Sequence, residues 1–145
     1  MRTIKSFMGN DHRECDEIFA ETENAIVVGN WDAVNSELDK MSTVFLRHFK
    51  MEEEILFPEF ESSTGMSCGP TQVMRMEHEQ MRHMIQKLAD AIKQQDKSSA
   101  LGFCETFNIL VQQHNSKEEM ILYTMADNIL ANNADEIIVR MQEIA

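Results

Sequence analysis

An internal repeat constrains this sequence more than any other feature. The segments 48–57 and 114–123 share the pattern His-x-x-x-Glu-Glu-x-Ile-Leu-aromatic, at an offset of 66 residues. The same offset links His12 to His78, and an acidic residue precedes each of these two histidines. Four of the five histidines therefore fall into two halves with identical spacing. This layout predicts a pseudo-symmetric site for two metal ions.

Length and charge limit the classes of function. A chain of 145 residues is expected to form one domain, 1–145, with a single core. Its net charge of −12 argues against nucleic acid and against an anionic membrane as partners. The three cysteines form no C-x-x-C pair, which favours a reducing compartment. The sequence has no apolar run of signal-peptide or membrane-span length, so we expect a cytoplasmic protein.

Few helix breakers interrupt the chain, and apolar residues recur at the three-four spacing of helices. Asp11 and Glu14 resemble a capping box, which predicts a helix start there after a short arm of residues 1–10. Pro58 is expected to kink or end the second helix. The Ser- and Gly-rich stretch 61–70 is expected to form a crossing loop. Five helices are predicted, at about 11–28, 31–60, 71–95, 98–130 and 135–144.

The four longer helices carry their histidines in the apolar rows. Residues four apart lie on one face of a helix, so His48 projects with Glu52 and His114 projects with Glu118. Short connections favour an all-α, up-down-up-down antiparallel four-helix bundle, with the short C-terminal fifth helix across one end. In such a bundle the four imidazoles and two carboxylates share one apolar interior.

Metal binding would offset the cost of burying these carboxylates. Unpartnered, each would cost on the order of several kcal/mol. Metal ions accept their charge, and Glu52 and Glu118 each have two oxygens with which to bridge two ions. A set of imidazoles and carboxylates favours iron among redox metals, with manganese and zinc as alternatives.

Four motifs together resemble the hemerythrin-like (HHE cation-binding) domain family. They are Asp11-His12-Arg13, the run from His48 to Pro58, Glu77-His78, and the run from His114 to Tyr123. The resemblance spans about residues 10 to 127 and implies an up-down four-helix bundle with an oxo- or hydroxo-bridged pair of non-haem irons. Such centres react with small oxidants, notably O₂ and NO. Carried over position by position, it implies six metal ligands: His12, His48, Glu52, His78, His114 and Glu118.

The sequence departs from the oxygen-carrying hemerythrins at two ligand positions, one of which is Glu118, where those proteins use Asp. Those proteins have a further histidine four residues after the third-helix ligand, where this chain has Arg82. His83 follows it, about 140° round the helix from His78, and is expected to face away. With four histidines the two irons are predicted to be near-equivalent. In this respect the chain looks more like the di-iron domain of proteins that repair iron–sulfur clusters.

Other residues near the motifs receive plainer interpretations. Cys15 is expected to be a small buried hydrophobe, with an iron-touching thiolate as the alternative. Tyr123 and Phe57, which are equivalent in the repeat, are expected to pack in the core. The alternative for Tyr123 is a hydroxyl that donates a hydrogen bond or an electron to the centre. Four acidic residues are expected to be solvated: Glu53, Glu54, Glu79 and Glu119.

Three functions remain open from the sequence. The first is a di-iron protein that binds or reduces O₂, NO or peroxide in a stress response, with reversible O₂ carriage as a variant. An electron donor or a homo-oligomer would be a further partner, and binding or response is favoured over enzymatic turnover. The second is iron handling, as a storage or metal-sensing module. The third is a bundle with structural zinc.

Overall fold

The computed structural model describes residues 2–145, and helices account for most of that range. A π-helical turn, Glu52–Leu56, joins α2 to α3, and a second one, Glu118–Leu122, joins α5 to α6. A 3₁₀ turn, Ala131–Asn133, precedes the last helix. The helices are α1 (Ile4–Val28), α2 (Trp31–Met51), α3 (Phe57–Thr64), α4 (Pro70–Lys93), α5 (Lys97–Lys117), α6 (Tyr123–Ile129) and α7 (Ala134–Gln142).

Four long helical rods form the bundle: α1, α2 with α3, α4, and α5 with α6. The rod α1 packs along α2 and α5, and α4 packs along α2 and α5. The short α7 packs across one end, against the first π-turn and α1. The predicted antiparallel four-helix bundle with a short fifth helix is therefore confirmed. Among the described residues, none of the helices is long and apolar enough to cross a membrane.

The first helix begins earlier than predicted. Thr3 caps it, because the Thr3 hydroxyl accepts from the Ser6 amide while the Ser6 hydroxyl accepts from the Thr3 amide. The Asp127 carboxylate, from α6, also accepts from the amides of Ile4 and Lys5 at 2.7 and 3.2 Å. These partners satisfy the free amides of the first turn. The predicted start at Asp11, and the arm of residues 1–10, are wrong for the described residues; Met1 lies outside them.

The first helix ends at Val28 and the second begins at Trp31, as predicted, whereas the remaining helix ends differ from the predicted ones by one to four residues. The second rod continues to Thr64, where Gly65 in the left-handed conformation (φ 70°) ends it. Asp96 caps α5 by accepting from the Ser99 amide. Helix α4 begins at Pro70, and α7 ends at Gln142. Helix ends are set by such local hydrogen bonds, which periodicity does not report.

Pro58 neither ends nor visibly interrupts the second rod. It lies at the second position of α3, directly after the π-turn in which the Phe57 amide bonds the Glu52 carbonyl. Proline has no amide to give to the Glu53 carbonyl, which instead accepts from Arg75 Nη1 at 3.4 Å. In the second half of the repeat the equivalent residue is Thr124, whose hydroxyl donates to the Glu119 carbonyl at 3.3 Å. The helix thus continues past Pro58 because another donor replaces the lost one.

The core consists of two apolar clusters. One contains Phe19, Phe45, Phe49 and Phe107, and the other contains Phe57 and Phe60. On each of the four rods, the histidine lies between residues of the first cluster and residues of the second. The histidines are therefore enclosed by apolar side chains on both sides along the bundle axis.

Candidate metal centre

The six predicted ligands come together in the middle of the bundle. The histidines come from four different helices: His12 from α1, His48 from α2, His78 from α4 and His114 from α5. Glu52 and Glu118 are each the first residue of a π-turn. All six side chains are buried, with residue exposures of 3 % or less. π-Turns often occur at functional sites, and here both coincide with the repeated motif.

The ligand atoms fall into two groups that share Glu118. We call them the His78/His114 cluster and the His12/His48 cluster. In the first, His78 Nε2 lies 3.0 Å from Glu52 Oε1, and His114 Nε2 lies 3.2 Å from Glu118 Oε1. In the second, His12 Nε2 lies 3.1 Å from Glu118 Oε1, and His48 Nε2 lies 3.3 Å from Glu52 Oε1. The four Nε2 atoms thus face the same two carboxylates.

The donor atoms fit a bound cation better than they fit one another. His12 Nε2 and His48 Nε2 are only 3.1 Å apart, and two ring nitrogens satisfy each other only if one of them carries a proton. His114 Nε2 and Glu118 Oε2 are buried and make no well-aligned hydrogen bond, although His114 Nε2 lies within ion-pair distance of Glu118 Oε1, at 3.2 Å. Protein interiors leave few polar atoms unpaired, so each such atom calls for an explanation. Metal ions between the imidazoles and the carboxylates would satisfy these atoms.

A carboxylate holds the other nitrogen, Nδ1, of every histidine. These hydrogen bonds orient the rings and keep the Nδ1–H tautomer, which leaves Nε2 free to bind a metal. The four pairs are His12 with Glu119 at 3.0 Å, His48 with Asp11 at 2.6 Å, His78 with Glu53 at 2.7 Å, and His114 with Glu77 at 2.8 Å.

These outer carboxylates follow the 66-residue repeat. Asp11 and Glu77 occupy equivalent positions, and each serves the histidine of its own half. Glu53 and Glu119 are also equivalent, but each reaches a histidine of the opposite half. The expectation that Glu53 and Glu119 are solvated is therefore wrong, because packing of the halves brings an imidazole to each. The overlooked signal was the acid directly after each ligand glutamate in both halves.

The hydroxyl of Tyr123 contacts both inward-facing carboxylates, Glu52 and Glu118. This hydroxyl lies 2.8 Å from Glu52 Oε2 and 2.9 Å from Glu118 Oε1, and it donates its one proton to these oxygens. The same oxygen is 3.3 Å from His12 Nε2. Burial first, and then the charges of Glu118 and Glu52, raise the pKa of Tyr123 well above its ordinary value, so the phenol stays neutral. The equivalent residue Phe57 has no hydroxyl, which breaks the pseudo-symmetry at this point.

Protons occupy the site when no metal is bound. Burial alone would lower the pKa of His114, but the Glu118 carboxylate outweighs it and raises that pKa to about 9. Burial would raise the pKa of Glu118, yet His114 and further hydrogen bonds hold it well below its ordinary value. Without metal the pair is therefore imidazolium and carboxylate at pH 7. A metal ion must displace that proton to reach Nε2.

Cys15, Arg82 and His83 are not among the six predicted ligands. Cys15 nevertheless lies close enough to Asp11 and His48 for these three buried residues to form a further candidate group. Cys15 is buried in the first apolar cluster, and burial raises the pKa of its thiol to about 12, which makes a thiolate ligand unfavourable. Arg82 points away from the ligand atoms: its guanidinium bonds Glu53 and Glu79, each at 2.6 Å, over the ring of Phe49. His83 is exposed, as predicted.

Four inward-facing histidines with two buried carboxylates define the class as a metal-binding helical bundle. The chain matches the family model described as the hemerythrin HHE cation binding domain over residues 3–126. It therefore belongs to the hemerythrin HHE family, whose domains bind metal cations. Comparison with curated proteins and with solved structures finds no significant match.

Proposed function

We propose that the protein binds two iron ions and reacts with O₂, NO or peroxide in the response to oxidative or nitrosative stress. One observation carries the proposal: two clusters of buried ligand atoms share a carboxylate, and every imidazole is oriented by a second carboxylate. His12 and His48 would hold one ion, and His78 and His114 the other. Glu52 and Glu118 would bridge them. Membership of a cation-binding family supports the assignment.

The donor chemistry favours iron. Imidazole nitrogen and carboxylate oxygen suit iron and manganese, whereas structural zinc sites usually include thiolates and are tetrahedral and closed. The thiol nearest the histidines, Cys15, stays protonated because of its burial. Two histidines and two shared carboxylates for each ion would be less than a full protein ligand set, which would leave room for a small oxidant. A ferrous pair held by these residues would supply electrons to such an oxidant.

The protein's own residues prepare the site for this chemistry. The ring of Phe49 stacks on His78 at 4.4 Å between centroids, and that of Phe57 does so at 5.7 Å. These rings stack on the imidazole of His78 and restrict its plane. Tyr123 fixes the orientation of both bridging carboxylates through its hydroxyl. The carboxylates on Nδ1 keep each imidazole a strong ligand without themselves reaching the metal.

A metal-sensing function is the second candidate, and the buried charges favour it. Without metal, the interior holds ionised Glu118 beside protonated His114. Metal loading would exchange these protons for ions that join four different helices. The helices would then be held more tightly, and a partner that distinguishes the loaded bundle from the empty one would report iron supply.

One experiment separates these functions. The protein is loaded anaerobically with ferrous iron, then exposed to O₂ or NO while the near-ultraviolet spectrum is followed. We expect two irons per chain and a new absorption band with each oxidant. Reversal on degassing would indicate O₂ carriage, and repeated consumption of oxidant would indicate turnover. Retention of iron with no spectral response to any oxidant would contradict the proposed reactivity and favour sensing or storage.

A further inference from the structure

A layer of cations outside the carboxylates breaks the symmetry of the centre. Around the His78/His114 cluster, both outer carboxylates are paired. Arg82 Nη2 lies 2.6 Å from Glu53 Oε1, and Lys117 Nζ forms an ion pair with Glu77 Oε2. Each cation therefore binds one oxygen of a carboxylate whose other oxygen accepts from a histidine Nδ1.

The outer carboxylates of the His12/His48 cluster are less neutralised. Asp11 has Arg47 at the longer distance of 3.4 Å. Glu119 forms no ion pair with any lysine or arginine of the described residues. Two basic residues, Lys5 and Arg13, line the same surface cleft as Glu119, and the Arg13 guanidinium donates to Asn10. The two clusters thus have the same ligand types, but the outer carboxylates of the His78/His114 cluster are more fully neutralised by lysine and arginine.

The repeat does not extend to these cations. The residues equivalent to Arg82 and Lys117 in the first half are Asp16 and Met51, neither of which is basic. Both cations consequently lie on the side of one cluster. The asymmetry comes from residues that the metal-ligand motif does not contain.

A cation next to an outer carboxylate changes how strongly that carboxylate polarises the histidine that donates to it. An unneutralised carboxylate on Nδ1–H increases the electron density that Nε2 offers to a metal. A cation on that carboxylate withdraws part of this density, and its positive charge disfavours the more oxidised metal state. The histidines of the His78/His114 cluster should therefore donate less electron density to a bound metal than those of the His12/His48 cluster.

We propose that Arg82 and Lys117 are positioning residues that make the two metal positions electronically inequivalent, with the His78/His114 position the less electron-rich. This inference rests on the proposed two-iron centre. It differs from the expectation drawn from four histidines alone, which was near-equivalence.

Mössbauer spectra of diferrous protein loaded with iron-57 test the proposal, together with a mediated redox titration of the iron. We expect two quadrupole doublets of equal area in the unaltered protein. In the double variant Arg82→Met, Lys117→Met the doublets should converge and the midpoint potential should shift lower. Arg82→Lys should largely preserve the original spectrum, because it keeps the charge on Glu53.

Two comparisons make the result specific. Arg140→Met is the control: it removes the ion pair to Glu59, which is as short as that of Arg82 with Glu53, at 2.6 Å. Because Glu59 is not an outer carboxylate, the Mössbauer spectrum and the midpoint potential should both stay unchanged. Tyr123→Phe removes the other asymmetric polar group. A single doublet in the unaltered protein would overturn the proposal. So would doublets that converge in Tyr123→Phe but persist in the Arg82 and Lys117 double variant. Protein that fails to bind two irons would instead overturn the proposed function itself.

Discussion

Glu119 accepts a hydrogen bond from His12 Nδ1 across the bundle, at 3.0 Å, and Glu53 accepts one from His78 Nδ1 at 2.7 Å. Each glutamate directly follows a predicted ligand glutamate of one half and holds a predicted ligand histidine of the other half. The two halves therefore complete each other's histidine hydrogen bonds. Neither half contains all the groups that its own histidines need.

These crossed contacts predict a role for the outer glutamates in metal affinity. Glu53→Gln or Glu119→Gln keeps an acceptor for Nδ1–H but removes the charge behind the imidazole. We expect metal affinity to fall roughly ten-fold or more. Competition with a chromophoric chelator measures it. Glu54→Gln is the matched control, because Glu54 is the exposed neighbour of Glu53, and an equal loss in that variant would contradict the account.

The proton on His114 predicts how the stability of the metal-free protein depends on pH. Its pKa rises from 6.5 in the unfolded chain to about 9 in the fold, so its contribution is complete below pH 6.5 and is lost as the pH rises through 9. This loss amounts to at most about 3 kcal/mol of unfolding free energy. Urea unfolding in excess chelator at pH 6.5 and pH 9 measures it. Metal-loaded protein should not show the loss, and a flat profile for the metal-free protein would contradict the assigned proton.

Tyr123→Phe tests the hydroxyl above the bridging carboxylates. The change removes a buried donor from Glu52 and Glu118 and should lower the stability of the metal-free protein by about 1–3 kcal/mol. Iron content should stay near that of the unaltered protein, because no predicted ligand is removed. The absorption band that appears when the iron-loaded protein is exposed to O₂ or NO should change. Unchanged stability and an unchanged spectrum together would show that the hydroxyl does not act on these carboxylates.

Thr3→Ala tests the observed start of the first helix. Loss of the cap should destabilise the protein by about 1 kcal/mol without changing its metal content. Asp11→Asn should behave in the opposite way, with lower metal affinity, because Asp11 holds His48 Nδ1 rather than a helix end. Thermal unfolding and elemental analysis of the two variants distinguish the roles. Metal loss in Thr3→Ala would contradict them.

The convergence of the predicted ligands in the interior was accessible from the sequence because part of their pattern is local. The four-residue spacing of His48 and Glu52 fixes them on one helix face, and the echo at His114 and Glu118 marks the second half. The helix start was not accessible, since Thr3 with Ser6 and Asp11 with Glu14 are both plausible capping pairs. Tertiary contacts decide between them: Ile4 and Met8 are buried in the second cluster, and the Asp127 carboxylate accepts from the first free amides.

The rest of the centre depends on packing between the halves. Which acid reaches which imidazole follows from how α1 and α4 lie against the π-turns, and nothing in the local sequence of Glu53 or Glu119 reports this. The π-turns themselves have no residue preference that separates them from α-helix here: one precedes Pro58 and the other precedes Thr124. The ion pairs of Arg82 and Lys117 do not follow the repeat, so the repeat could not reveal them.

The central claim is that His48 and Glu118 belong to a two-iron centre, and the metal content of variants at these residues and at His83 tests it most directly. The unaltered protein, loaded anaerobically with ferrous iron and desalted, should contain two irons per chain by elemental analysis. His48→Ala and Glu118→Ala should each fall well below two, while His83→Ala, which changes the one histidine outside the centre, should retain both. Two irons in His48→Ala and in Glu118→Ala would contradict the assigned centre.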